Sequence, residues 1–123
     1  MNQKPILLVE DDPDIQENLR FFLEHEGFQV KSAFNGKEAL NYIKNGNPVQ
    51  VVLLDLMMPV MDGYEFLEKI QQEDPTLSSI PIIVLSAAKN AEQISKVRQL
   101  PLIKKPIDLD LLIQTIQKNS ACC

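Results

Sequence analysis

The chain has 123 residues, 45% hydrophobic and 24% charged, with a formal net charge of −5. That length makes one domain, able to bury a core without metal or disulfide staples. The acidic balance argues against nucleic acid as a direct partner, because phosphate contacts need a basic surface. No apolar run approaches the roughly 18 residues of a membrane span.

The chain opens Met1-Asn2-Gln3-Lys4-Pro5, without the apolar segment of a secretory signal. Its only cysteines, Cys122 and Cys123, are adjacent, so no disulfide framework exists. A reducing, cytoplasmic setting is expected, with no membrane contact.

Ile6-Leu7-Leu8-Val9 is an all-apolar run that ends in Glu10-Asp11-Asp12. Asp12 before Pro13 is a helix cap followed by proline at the first helical position. Ile15, Leu19, Phe22 and Leu23 share one helical face, and Gly27 closes that helix. Residues 28–34 read as a strand. Asn35 is placed to cap the next helix, with Glu38 in the capping-box position. Ala39, Leu40 and Ile43 form its buried face, and Asn45-Gly46 ends it.

Val49 to Leu54 is the central strand, and its Val51-Val52-Leu53-Leu54 is a continuous apolar run, the pattern of a strand buried on both faces of a parallel sheet. It meets Asp55, and Pro59 and Asp62-Gly63 then turn the chain. A helix opens at Gly63 with Phe66, Leu67 and Ile70 on one side. Residues 81–85 form a strand that runs into Ser86-Ala87. A weaker helix covers 90–100 with Ile94, Val97 and Leu100. Leu102-Ile103 is a short strand ended by Lys104-Lys105-Pro106. Asp108 starts a last helix whose Leu109, Leu112 and Ile116 face inward.

Strands and helices alternate five times. The pattern predicts one α/β (βα)5 doubly wound domain over residues 1–123, with a five-stranded parallel sheet and helices on both faces. The tail, 119–123, is expected to be disordered.

In such a sheet the strand carboxyl ends line one edge. Here that edge carries Glu10, Asp11, Asp55, Ser86 and Lys105. Clustered carboxylates need a cation or raised pKa values to relieve them. Oxygen-only ligands favour Mg²⁺, or Mn²⁺, over zinc. A hydroxyl and an ammonium beside that metal make a cradle for a phosphoryl group, whose transfer is mostly positioning and charge neutralisation.

Glu10-Asp11, the stretch from Asp55 to Gly63, Ser86-Ala87 and Lys105-Pro106, all in order at strand ends, resemble a two-component response-regulator receiver domain over essentially the full chain. The resemblance implies strand order 2-1-3-4-5. It implies that Asp55 accepts a phosphoryl group from a histidine kinase or histidine phosphotransfer protein. Asp11, Asp55 and the backbone carbonyl of Met57 would hold Mg²⁺, with Glu10 acting through water. Ser86 would be the switch hydroxyl, and Lys105 would pair with carboxylate and phosphate. A cis peptide is implied at Lys105-Pro106. The product would be a switch of protein contacts towards a downstream target, with self-catalysed phosphotransfer and autodephosphorylation as its only chemistry.

The family's usual aromatic residue before the lysine is Leu102 here, and the segment from Ser86 to Lys105 is shorter than usual. Both departures bear on read-out, not on the acids. Plainer readings cover the neighbours. Asp12 is a cap, Asp62 a turn residue, His25 and Lys104 solvated, and Met57, Met58 and Met61 loop packing. A haloacid-dehalogenase-type phosphohydrolase would need an acid where Met57 stands. A flavin-binding protein would need a Ser/Thr/Gly-rich loop where Glu10-Asp11-Asp12 stands. The remaining alternatives are a degenerate receiver acting as a constitutive docking module and a receiver fragment of a larger regulator or hybrid kinase.

Overall fold

A strand with apolar residues at every position can be stable only between two layers, and the chain supplies them. The computed structural model describes residues 4–55, 80–86, 101–104 and 107–119, with Ser86 and Lys104 described through their backbone. Element order is β1 (Ile6–Val9), α1 (Pro13–His25), β2 (Val30–Ala33), α2 (Gly36–Lys44), β3 (Val51–Asp55), β4 (Ile82–Ser86), β5 (Leu102–Lys104) and α3 (Leu109–Asn119). The strands form one sheet in the order β2-β1-β3-β4-β5, and every neighbouring pair is parallel.

The period of two sorts each strand between the faces. Ile6, Leu8, Val51, Leu53, Ile83 and Leu85 pack with Leu19 and Leu23 of α1 and with Leu112 and Ile116 of α3. Leu7, Val9, Val52, Leu54, Ile82 and Val84 pack with Ala39, Leu40 and Ile43 of α2. Helices therefore cover both faces, as the continuous apolar runs require.

The helix ends follow local chemistry. Asp12 Oδ1 accepts from the N–H groups of Asp14 (2.9 Å) and Ile15 (3.3 Å), with Pro13 starting α1. Asp108 Oδ1 does the same for Asp110 (3.0 Å) and Leu111 (3.2 Å) at α3. Asn35 Oδ1 accepts from Glu38 N at 2.9 Å, while Glu38 Oε1 accepts from Phe34 N, one residue before the usual capping-box donor.

After α1, Gly27 takes φ 98°. Its N–H donates to Glu24 O (3.0 Å), and Phe28 N–H donates to Leu23 O (3.1 Å). This is a Schellman closure, with Phe28 packed against the α1 layer that contains Leu23. A Cβ on Gly27 would meet nothing within 4 Å, so only backbone conformation opposes one. Gly27→Ala is expected to cost about 1–2 kcal/mol, read from a urea melt. A wild-type midpoint would show that the turn relaxes freely.

Several sequence expectations are corrected at their edges. The second strand spans Val30–Ala33 and not 28–34, because Phe28 belongs to the helix closure and Phe34 to the α2 cap. Val49 and Gln50 precede β3. Gln50 ties its start to the chain before β1, donating from N to Pro5 O (2.9 Å) and from Nε2 to Lys4 O (2.7 Å). β4 starts at Ile82 and includes Ser86, and β5 extends to Lys104. Leu109 is 38% exposed and not inward-facing; Ile107, just before the helix, packs into that layer instead. Asn119, assigned to the disordered tail, is the last residue of α3, and its Nδ2 donates to Thr115 O at 2.8 Å. The helices expected from Gly63 and over 90–100, the Asp62-Gly63 turn, the Lys105-Pro106 peptide and residues 120–123 lie outside the described residues.

Candidate metal centre

The register of the two central strands dictates where the acids meet. β1 and β3 run in step, Ile6 beside Val51 and Val9 beside Leu54. One residue further, the same step sets Glu10 beside Asp55. Glu10 N–H extends the β1–β2 ladder by donating to Ala33 O at 3.0 Å. On its other side Asp55 pairs with Leu85, and Ser86, the last residue of β4, pairs with Lys104 at the end of β5. Acids, hydroxyl-bearing residue and basic strand end therefore share one edge. Met57 and Lys105 lie outside the described residues.

Glu10, Asp11 and Asp55 each offer a carboxylate oxygen, and these oxygens lie within 4.8 Å of one another. Glu10 and Asp55 are 1% and 5% exposed, and Asp11 is half-buried. Asp12 is exposed and spends its carboxylate on the α1 cap, as its pairing with Pro13 implied. Its own N–H donates to Glu10 Oε2 at 3.3 Å, which turns the chain from strand to helix around the acids.

Three carboxylates at this spacing repel, and burial deprives two of them of water's screening. A hard, oxygen-binding cation relieves both costs. The donor set contains no nitrogen or sulfur, which suits Mg²⁺ or Mn²⁺ and not zinc. The residues present fit such an ion.

Two buried polar residues were not anticipated, Gln50 just before β3 and Gln16 on α1. Gln16 is 2% exposed. Its Nε2 lies 3.1 Å from Leu8 O, 3.2 Å from Glu10 O and 3.1 Å from Ala33 O. The sequence did carry a signal: Gln16 stands three and seven residues before Leu19 and Leu23, on the buried face of α1.

The acids flank the point where strand order reverses, β1 continuing to β2 on one side and β3 lying on the other. Open α/β sheets bind ligands at such a switch point, outside the strand carboxyl ends. Fold and site together define a flavodoxin-like, doubly wound domain with an acidic pocket. The chain belongs to the response regulator receiver domain family, whose model matches residues 6–117.

Response regulator GtcR of Aneurinibacillus migulanus is 38% identical over 84 residues, covering 68% of this chain and 33% of its own length. Response regulator Rre1 of Synechocystis is 42% identical over 83 residues, covering 67% and 35%. The chain thus spans about a third of those relatives. Response regulator TrrA of Thermotoga maritima, solved in complex with Mg(2+)-BeF, superposes with a TM-score of 0.80 at 32% identity, covering 94% of this chain and 98% of that one. No helix among the described residues is long and apolar enough to cross a membrane.

Proposed function

We propose that this chain is a phosphoacceptor switch in which Asp55 takes a phosphoryl group from a histidine kinase or histidine phosphotransfer protein. The observation that carries this reading is the meeting of Glu10, Asp11 and Asp55 within 4.8 Å at the sheet's switch point. Family membership and the Mg(2+)-BeF complex of the similar TrrA support it.

Asp11, Asp55 and the Met57 carbonyl would hold Mg²⁺, with Glu10 contributing through water. The ion supplies charge neutralisation for an incoming phosphoryl group. An Asp55 carboxylate oxygen attacks phosphorus; an O–P bond forms, the bond to the donor's histidine nitrogen breaks, and its electron pair stays on nitrogen. Ser86 donates a hydrogen bond to a phosphoryl oxygen, and Lys105 pairs with the charge it brings. The acyl phosphate carries about −1.5 to −2 charges where the carboxylate carried one, so an edge that is already acidic gains up to about one further negative charge. That change is the signal a downstream protein reads.

Incubation with acetyl phosphate and Mg²⁺, followed by intact mass, tests this directly. Wild type should gain one phosphoryl group, and neither Asp55→Asn nor wild type in EDTA should gain any. If neither acetyl phosphate nor a panel of histidine kinases labels Asp55, the chain is a docking module instead.

A further inference from the structure

We infer that Gln16 is a positioning residue that sets the cation affinity of the acidic edge, an inference that rests on reading Glu10, Asp11 and Asp55 as a metal centre. Glu10 is held in place through its backbone. Its N–H is spent on Ala33 O at 3.0 Å, and its carbonyl accepts from Gln16 Nε2 at 3.2 Å. Both backbone groups of this acid are therefore fixed, one by β2 and one by α1. The same Nε2 reaches Leu8 O and Ala33 O at 3.1 Å each, so a single side-chain amide clasps the carboxyl ends of β1 and β2.

The amide can sit only one way round. Its donor end faces three carbonyls, and a flip would set Oε1 against three acceptors. Oε1 itself has no hydrogen-bond partner among the described residues. Orientation thus comes entirely from the clasp. The clasped segment is the one that ends the strand and delivers Glu10 and Asp11 to Asp55. Without the clasp the strand remains, held by its ladder and its apolar layers, but the two residues beyond it lose an anchor. Groups behind metal ligands commonly tune affinity by about 10–100-fold.

The test compares Mg²⁺ binding by calorimetry in wild type, Gln16→Met and Val30→Ala, each well below its melting temperature. Gln16→Met keeps the unbranched shape and removes the amide. Val30→Ala trims the same layer on β2 and leaves the clasp. Gln16→Met should bind Mg²⁺ about ten-fold more weakly, while Val30→Ala should melt lower yet keep the wild-type affinity. As an arm that needs no variant to fold, the Gln16 side-chain amide of ¹⁵N-labelled wild type should exchange slowly with solvent and shift along the Mg²⁺ titration. An unchanged affinity in Gln16→Met, an equal loss in Val30→Ala, or a fast-exchanging Gln16 amide overturns the inference. Wild type that binds no Mg²⁺ overturns the metal-centre reading beneath it, a separate and recognisable failure.

Discussion

In metal-free buffer Asp55→Asn is expected to melt above wild type, and in saturating Mg²⁺ below it. Asp55 has two carboxylate neighbours whose oxygens lie within 4.8 Å, and it is 5% exposed. At that distance one like-charge pair is worth about 1 kcal/mol in water and about 3.5 kcal/mol at an effective dielectric of 20. Asparagine keeps the shape and polarity of the side chain and removes that repulsion. The ion reverses the order. At a hundred times its dissociation constant it stabilises the wild-type fold by about 2.7 kcal/mol, on the order of 10 °C for a domain of this length. Asp55→Asn forfeits most of that gain. Thermal melts with EDTA and with Mg²⁺ check the crossing. Equal Mg²⁺ shifts in both proteins would remove Asp55 from the metal centre.

Leu53→Ala should be the most damaging single truncation in the sheet, at about 3–5 kcal/mol. Leu53 is 0% exposed, beside Leu8 on one strand and Ile83 on the other, and all three lie in the layer beneath α1 and α3. Its neighbours are held by main-chain ladders, so the cavity cannot collapse by sliding one strand. The loss is a large share of the roughly 5–15 kcal/mol that holds a domain together. Urea unfolding should show a lower midpoint with the slope preserved. Mg²⁺ should still raise the midpoint, because Asp55 stands two residues on and keeps its place in the ladder. A cost below about 1 kcal/mol would mean that the layer repacks as a fluid would.

The sheet was legible because its central strands β1 and β3 have no polar face. The runs 6–9 and 51–54 are apolar throughout, which only a strand covered on both sides tolerates, and both are fully buried. The caps were legible too, since Asp12, Asn35 and Asp108 combine an N-terminal acceptor with helix-forming neighbours. Strand ends were not, because hydrophobicity continues into closures: Phe28 and Phe34 read as strand but serve a helix end and a helix start. The acids could be placed at one edge from strand order alone. Their spacing could not, because it depends on the Val9–Leu54 register, a long-range fact with no local trace. Gln16 escaped because a polar residue on an apolar stripe is usually set aside as solvated. Leu109 misled for the opposite reason: its helical phase is right, but Ile107 fills the place in the layer.

The parallel pairing of β1 with β3 also decides when this site can exist during folding. Glu10 and Asp11 lie on one side of the crossover through α1, β2 and α2, and Asp55 lies on the other. A chain that has joined only β1, α1 and β2 holds two of the acids and no third. The centre appears when the crossover closes and β3 docks. A loop of this kind is closed late, since its entropy is spent before its contacts reward it. A cation that binds all three acids therefore acts on the docked chain and draws the folding equilibrium towards it. In this domain an ion held by all three acids would also report that β3 has docked beside β1.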